Sequence, residues 1–282
     1  MLGASLLFAT MGVCVKLAGA RYGAGEIVMY RGLVGLVVVG AVALARGSSL
    51  RTAHPGMHLW RSASGVAALV LWFYSINGLP LATAMTLNYL SPVWMAVFLL
   101  GAGVVGLGQR VDGRLVWPVL VGFVGVALLL RPSFAQDQAW HATAGLASGM
   151  LAALAYLQVA ALARAGEPAD RIVFYFSLGG VLAGALTAST LGGWHGHTPG
   201  GLALLLAIGL LASAAQLMLT RAYAIGRTLS NAALQYLGIL IATLYGLWLF
   251  DESVGAWSLL GMGLIAGAGV ASTRLRDRAT SA

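Results

Sequence analysis

Apolar residues fill this chain in runs of about 20, separated by short clusters of Gly, Pro, Arg and Asp. A run of that length spans a bilayer as helix, whereas the buried strands of a soluble fold last about 4–8 residues. Apolar and polar positions do not alternate as they do in a membrane barrel. The pattern predicts ten spans, at roughly 2–20, 25–45, 58–79, 81–103, 114–131, 141–164, 170–191, 200–222, 228–250 and 254–273. Breaks such as Arg46-Gly47-Ser48-Ser49, Gly78-Leu79-Pro80 and Gly166-Glu167-Pro168 separate them. Several connections are short, which makes neighbouring helices antiparallel. The N-terminus is apolar from Leu2 with no basic segment before it, and reads as a spanning helix rather than a cleaved signal.

Inside these runs a few polar residues recur at helical spacing. Ala84, Asn88 and Ser91 in the fourth span stand at i, i+4 and i+7, and so do Asn231, Gln235 and Gly238 in the ninth. The eighth span carries Ser213, Gln216, Thr220 and Tyr223 on one stripe. Lipid cannot satisfy such faces, so they meet protein or water. One reading is that Asn88, Ser91, Asn231, Gln235, Ser213, Gln216 and Tyr223 line a hydrated cavity. The other is that they hydrogen-bond between helices as packing contacts. Tyr89 and Tyr236 sit about 100° around their helices from Asn88 and Gln235, so the four cannot all reach one small ligand. Pro92 removes one helical hydrogen bond and permits a kink.

The third span ends in Trp72-Phe73-Tyr74-Ser75-Ile76-Asn77, an aromatic cluster suited either to stacking a flat solute or to the membrane interface. Trp72, Tyr74 and Asn77 are taken as cavity candidates, with Tyr156 and Gln158 of the sixth span beside them. The glycine pairs Gly145/Gly149, Gly180/Gly184 and Gly263/Gly267 let helices approach closely.

Composition sharpens this picture. The chain of 282 residues is 60% hydrophobic and only 9% charged, against roughly 25% charged in soluble domains. Net charge is +8. In a soluble chain that would raise nucleic acid as a partner; here it follows from arginines crowding the cytoplasmic loops. With the N-terminus inside, 12 of the 16 basic residues fall on that side, leaving Lys16, Arg21, Arg31 and Arg131 opposite. Both termini are therefore predicted cytoplasmic, and Asp251-Glu252 and the His195-Gly196-His197 loop lie outside.

Acidic residues number eight and sit near loops without clustering. That excludes the Mg²⁺-binding carboxylates of a membrane transferase and a carboxylate relay at mid-span. Lys16 and Arg31 read as snorkelling side chains, with Glu26 a possible ion-pair partner of Arg31. Cys14 is the only cysteine, and His195 with His197 gives two ligands where a metal needs three or four. They are read as a solvated loop; neither a metal nor a cofactor is expected, and the pattern does not set the oligomeric state, with which a monomer is compatible.

The chain also repeats itself. Shifting the Pro80–Pro92 stretch by 147 positions lays Tyr89-Leu90 on Tyr236-Leu237, Asn88 on Gln235 and Ser91 on Gly238. Ile27-Val28-Met29-Tyr30 resembles Ile172-Val173-Phe174-Tyr175 at 145, and Gly125-Val126 matches Gly269-Val270 at 144. Near-constant offsets predict an all-α polytopic membrane protein of two five-helix repeats, residues 1–135 and 136–282. Five is odd, so the repeats lie inverted in the membrane, an arrangement of secondary transporters with solute near mid-membrane.

At this point the chain resembles the drug/metabolite transporter superfamily in its ten-helix EamA branch, over essentially its whole length. The resemblance rests on the duplicated unit, on Tyr30-Arg31, on Leu81-Ala82-Thr83-Ala84-Met85-Thr86-Leu87-Asn88-Tyr89-Leu90-Ser91-Pro92, and on Asp251-Glu252 ahead of a Gly-rich last helix. It is most similar to the bacterial aromatic amino acid exporters of the YddG type. That implies an inner-membrane exporter of aromatic and other neutral amino acids, working by alternating access, and no enzyme. One departure is Gly108-Gln109-Arg110, where the family often has an acidic residue. Another small solute, such as a cationic drug or a nucleotide-sugar-like cargo, is the competing expectation on the same fold.

Overall fold

The computed structural model describes residues 1–79, 81–104, 113–130, 138–226, 228–249 and 255–280. Pro80, Gly108-Gln109-Arg110, Arg131, Arg227 and Asp251-Glu252 lie outside the described residues, as does the side chain of Asn77.

The regular elements among the described residues are all helices, without a strand among them. The helices are α1 (Leu2–Ala18), α2 (Ala24–Ala45), α3 (Pro55–Gly78), α4 (Leu81–Asn88), α5 (Ser91–Val104) and α6 (Val116–Leu130). The remainder are α7 (Ala139–Arg164), α8 (Ala169–Thr187), α9 (Pro199–Ile225), α10 (Thr228–Gln235), α11 (Leu237–Leu249) and α12 (Ala256–Thr280). Among the described residues six segments are long and apolar enough to cross a membrane: Ala24–Ala45, Ala84–Ala102, Ala139–Arg164, Ala169–Thr190, Pro199–Ile225 and Thr228–Leu249. Large apolar side chains on the outer faces, such as Leu44, Leu182, Ile225 and Trp248, stand exposed, as lipid contact requires.

Two stretches expected as unbroken spans are each interrupted. The fourth stops at Asn88 and restarts at Ser91; the ninth stops at Gln235 and restarts at Leu237. The turns are tight: Leu90 N–H bonds Leu87 O at 3.3 Å, Tyr236 N–H bonds Ala233 O at 3.3 Å, and Ile239 N–H bonds Tyr236 O at 3.0 Å. Pro92 cannot donate to Asn88 O, which accounts for part of the first break. The second has no proline, only Gly238, a weak helix former. The break before Pro92 is where a proline kink falls, and the ninth stretch is interrupted in the same way without a proline.

The chain forms two compact units. One comprises residues 3–66 and 158–225, the other residues 67–157 and 226–282, so the boundary falls inside α3 and inside α7. Each unit draws on both halves of the sequence. In the first, α2 packs along α8 and α9. The two main helices cross where Gly25 meets Gly184: a Cβ on Gly184 would lie 2.8 Å from Met29 Cα. Its apolar core joins Ala18, Tyr22, Ile27, Leu205 and Ile208. In the second, α6 packs along α12. Here Gly125 and Gly261 touch backbone to backbone, and a Cβ on Gly125 would sit 2.7 Å from Gly261 O. Val126, Leu129, Tyr236, Ile239 and Ile265 form its core. Gly145 and Gly149 pack against Leu87 as expected of close-approach glycines, whereas Gly263 and Gly267 have open space beside them, which corrects that pair.

Candidate functional site

The polar interior of the first unit begins with α2. The helix starts at Gly23, whose N–H donates to Glu26 Oε2 at 3.1 Å, one half of a capping box, since glycine has no side chain to return the bond. Arg31 follows two turns later, about 10 Å along the helix. Its guanidinium lies 5.5 Å from the centre of the Phe176 ring on α8. Arg61, two turns into α3 and 3% exposed, stacks on the same ring at 3.9 Å. Gly65 makes the room: a Cβ there would collide with the Arg61 guanidinium and come within 2.9 Å of the Phe176 ring. A guanidinium inside a span costs about 3 kcal/mol, which an aromatic face offsets in part. Two at one ring mark a place where positive charge has been concentrated.

Beside them a cavity of about 10 Å³, room for about one water, is lined by Arg31, Phe176, Ser177, Ser213 and Gln216. Gln216 and Ser213 are 6% and 4% exposed. Ser213 Oγ donates to Gly209 O at 2.7 Å, which uses its one proton and leaves it an acceptor. Of the sequence candidates, then, Ser213 and Gln216 meet at one point. Tyr223 is buried further along α9, and Gln158 is half-buried on α7 in the same unit.

The other candidates belong to the second unit. Asn88 Nδ2 donates to Ser148 Oγ at 2.7 Å, and Ser148 Oγ donates to Ala68 O at 2.9 Å, which ties α3, α4 and α7 together. Tyr74 is exposed and stacks on His141 with ring centres 4.6 Å apart. Trp72, Tyr156 and Gln235 are half-buried; Ser91 and Asn231 are buried. Tyr236, fully buried, meets Tyr89 at 6.4 Å between ring centres. The eight candidates of this unit therefore lie in a different compact body from Gln216.

Sequence reasoning missed Arg61, Phe176 and Ser177, and took Arg31 for a snorkelling side chain. Glu26, expected as a possible partner of Arg31, is held instead by His195. Its carboxylate accepts the His195 N–H at 2.9 Å and faces His195 Nδ1 at 2.6 Å. His197 Nε2 lies 2.8 Å from Tyr30 Oη. The histidine loop is thus exposed, in keeping with its reading as a solvated loop, and is also docked on α2. A parallel cluster stands at the start of α8. Glu167 accepts bonds from Thr52 Oγ1 at 2.6 Å and Arg171 Nη1 at 3.0 Å, and His58 Nε2 lies 3.2 Å away. Burial pushes the Glu167 carboxyl up, but the bonds from Thr52, Arg171 and His58 outweigh it and hold the group below the usual carboxylate range. Reading Gly166-Glu167-Pro168 as a break cannot reveal this, because Thr52 and His58 lie more than a hundred positions away. Among the described residues no group of three metal-ligating side chains forms.

Comparison with known proteins places the chain among membrane transporters. Residues 1–131 match the model of the EamA-like transporter family. Over 281 residues the chain is 31% identical to the pseudopaline exporter CntI of Pseudomonas aeruginosa, covering 97% of this chain and 94% of that one. It is 24% identical to a riboflavin transporter of Brucella anthropi, covering 100% and 99%. To an S-adenosylmethionine uptake transporter of Rickettsia bellii it is also 24% identical, covering 85% and 80%. A crystal structure 21% identical in sequence superposes with a TM-score of 0.83 over 98% of this chain and 96% of that one.

Proposed function

This chain belongs to the EamA-like transporter family, and from that premise we propose that it exports a small carboxylate-bearing solute, with amino acids as the foremost class. It is a multi-pass protein of the bacterial inner membrane and moves a small molecule. Export is favoured over uptake by the exporter relative that aligns over nearly the whole chain at 31% identity. The observation that carries the solute class is the convergence of Arg31, Ser213 and Gln216 on one cavity beside Phe176.

Arg31 presents planar donors that match a carboxylate. Gln216 and Ser213 offer acceptors for an ammonium group, and the Phe176 ring offers apolar surface to a side chain. The aromatic and neutral amino acids implied by the family resemblance fit this division. The cavity has room for about one water, so a solute enters only when α2, α8 and α9 part. Alternating access supplies that step: the ten spans, as two inverted repeats with both termini cytoplasmic, expose the site to each side in turn. The second reading is a phosphate-bearing, nucleotide-sugar-like cargo. The Arg31 and Arg61 guanidinium groups at one ring favour it over a cationic drug, which they would repel.

Counterflow in proteoliposomes with a panel of labelled amino acids tests the reading. Wild type is expected to exchange at least one of them, and Gln216→Ala and Arg31→Gln to reduce exchange more than ten-fold while folding normally. Undiminished exchange in both variants would remove the site assignment. Exchange of phosphate-bearing solutes alone would shift the cargo to the second reading.

A further inference from the structure

We infer that a second site, at the C-terminal end of α2, holds the phosphodiester headgroup of an anionic phospholipid. An open cavity of about 290 Å³ lies there within the first unit. Arg46 and Ser48 line it from the end of α2, Asp170 from the start of α8, and Leu217 and Arg221 from α9. Arg46 caps α2, and Arg221 sits in the last turns of α9. A cation at a helix C-terminus is ordinary. Here two of them flank one cavity, and neither side chain has a hydrogen bond or ion pair among the described residues. Both are exposed. Arg171, the other arginine nearby, is engaged elsewhere, on Ser49 O at 2.6 and 2.9 Å and on Glu167 at 3.0 Å.

The charge count selects the ligand. Two arginines against Asp170 leave the cavity at 2 − 1 = +1. Asp170 is buried and accepts the Arg171 N–H at 2.9 Å, so it forms a wall rather than a mobile partner. A net +1 matches a phosphodiester with one negative charge. Ser48 contributes a hydroxyl donor for a phosphate oxygen. The first turn of α8, whose N-cap Pro168 supplies no side-chain bond, adds backbone N–H groups on the same side.

A lipid is favoured over free phosphate by what adjoins the cavity. Leu217 is part of its lining, and the same helices expose Leu44 on α2 and Leu206 and Leu210 on α9 at 72%, 55% and 52%. These apolar faces suit acyl chains running from a headgroup seated between the arginines. The arginine-rich helix ends are those that the charge bias places on the cytoplasmic side, where anionic headgroups are recruited by basic side chains.

The test is native mass spectrometry of the full chain released from nanodiscs of phosphatidylcholine with and without phosphatidylglycerol. Wild type should retain phosphatidylglycerol selectively, and so should Arg164→Gln, an exposed arginine outside the cavity. Arg46→Gln and Arg221→Gln should each lower retention about five-fold, and the double variant more. Arg46→Lys/Arg221→Lys, which keeps both charges, should recover most of the retention. Equal retention by the double Gln variant and wild type overturns the site, as does a Lys variant that folds normally yet loses the lipid completely. In a parallel thermal-shift arm, stabilisation by inorganic phosphate without stabilisation by phosphatidylglycerol overturns the lipid assignment in favour of a soluble anion.

Discussion

The α2/α8 pair and the α6/α12 pair are built alike and filled differently. Each joins helices about 145 positions apart in sequence, and each is drawn together by glycines that touch backbone. Around α6 and α12 the space is closed by Val126, Leu129, Tyr236, Ile239 and Ile265. Around α2 and α8 it holds Arg31, Arg61, Ser177, Ser213 and Gln216 at a phenylalanine ring. Close crossing is therefore common to both pairs, while among the described residues the arginines packed on an aromatic ring stand beside one pair only. Keeping charge there costs stability that an apolar core would not.

The strongest way to break this comparison is at the crossings. Gly184→Leu and Gly125→Leu should each cost 3 kcal/mol or more, about the upper range for overpacking, because the opposing atoms are backbone and cannot turn away. Loss of monodisperse protein after detergent extraction would report it. Gly263→Leu, which faces open space, should extract like wild type; equal damage there would show that the crossings are not special.

The next effect separates the fillings. Gln216→Ala should lower solute exchange more than ten-fold with a change in melting temperature of only a few degrees. Tyr236→Phe should leave exchange unchanged. Its hydroxyl is fully buried and has no partner among the described residues, so removing it should be neutral or stabilising by up to about 1 kcal/mol. Exchange lost in Tyr236→Phe and kept in Gln216→Ala would reverse the roles given to the two units.

A smaller effect concerns pH. The Glu167 carboxyl is held below its unfolded value, which is about 4.3. Its bonds to Thr52, His58 and Arg171 therefore contribute fully above about pH 4.3 and are lost as pH falls through the folded value. Melting curves of wild type should drop more steeply below about pH 4 than those of Glu167→Gln. Parallel curves would mean that the cluster does not stabilise the ionised form. Smallest of all, Tyr74→Phe should alter neither exchange nor melting measurably, since the exposed ring keeps its stack on His141.

Particular residues show how far reading the chain reaches. The runs of about 20 apolar residues are enough to require helices in a bilayer, and the described parts of the predicted segments are mostly helical, with the fourth and ninth broken by a turn. The Ser213, Gln216, Tyr223 stripe is visible because helical spacing puts those residues on one face. Arg61 was not visible. At the cytoplasmic edge of a span it is indistinguishable from a loop arginine until α3 is seen to start at Pro55, carrying the residue two turns inward onto Phe176. Asn88 and Gln216 have the same kind of polar side chain in the same kind of apolar run, and only the neighbours give one a serine on α7 and the other a cavity.

Local periodicity and composition by themselves determined that this protein is a polytopic bundle of membrane helices, because bilayer length and backbone hydrogen bonding act on each segment separately. Which polar side chains come together was decided by the tertiary structure alone. Burial of a guanidinium or an amide depends on what packs against it from more than a hundred residues away, and no single segment carries that information.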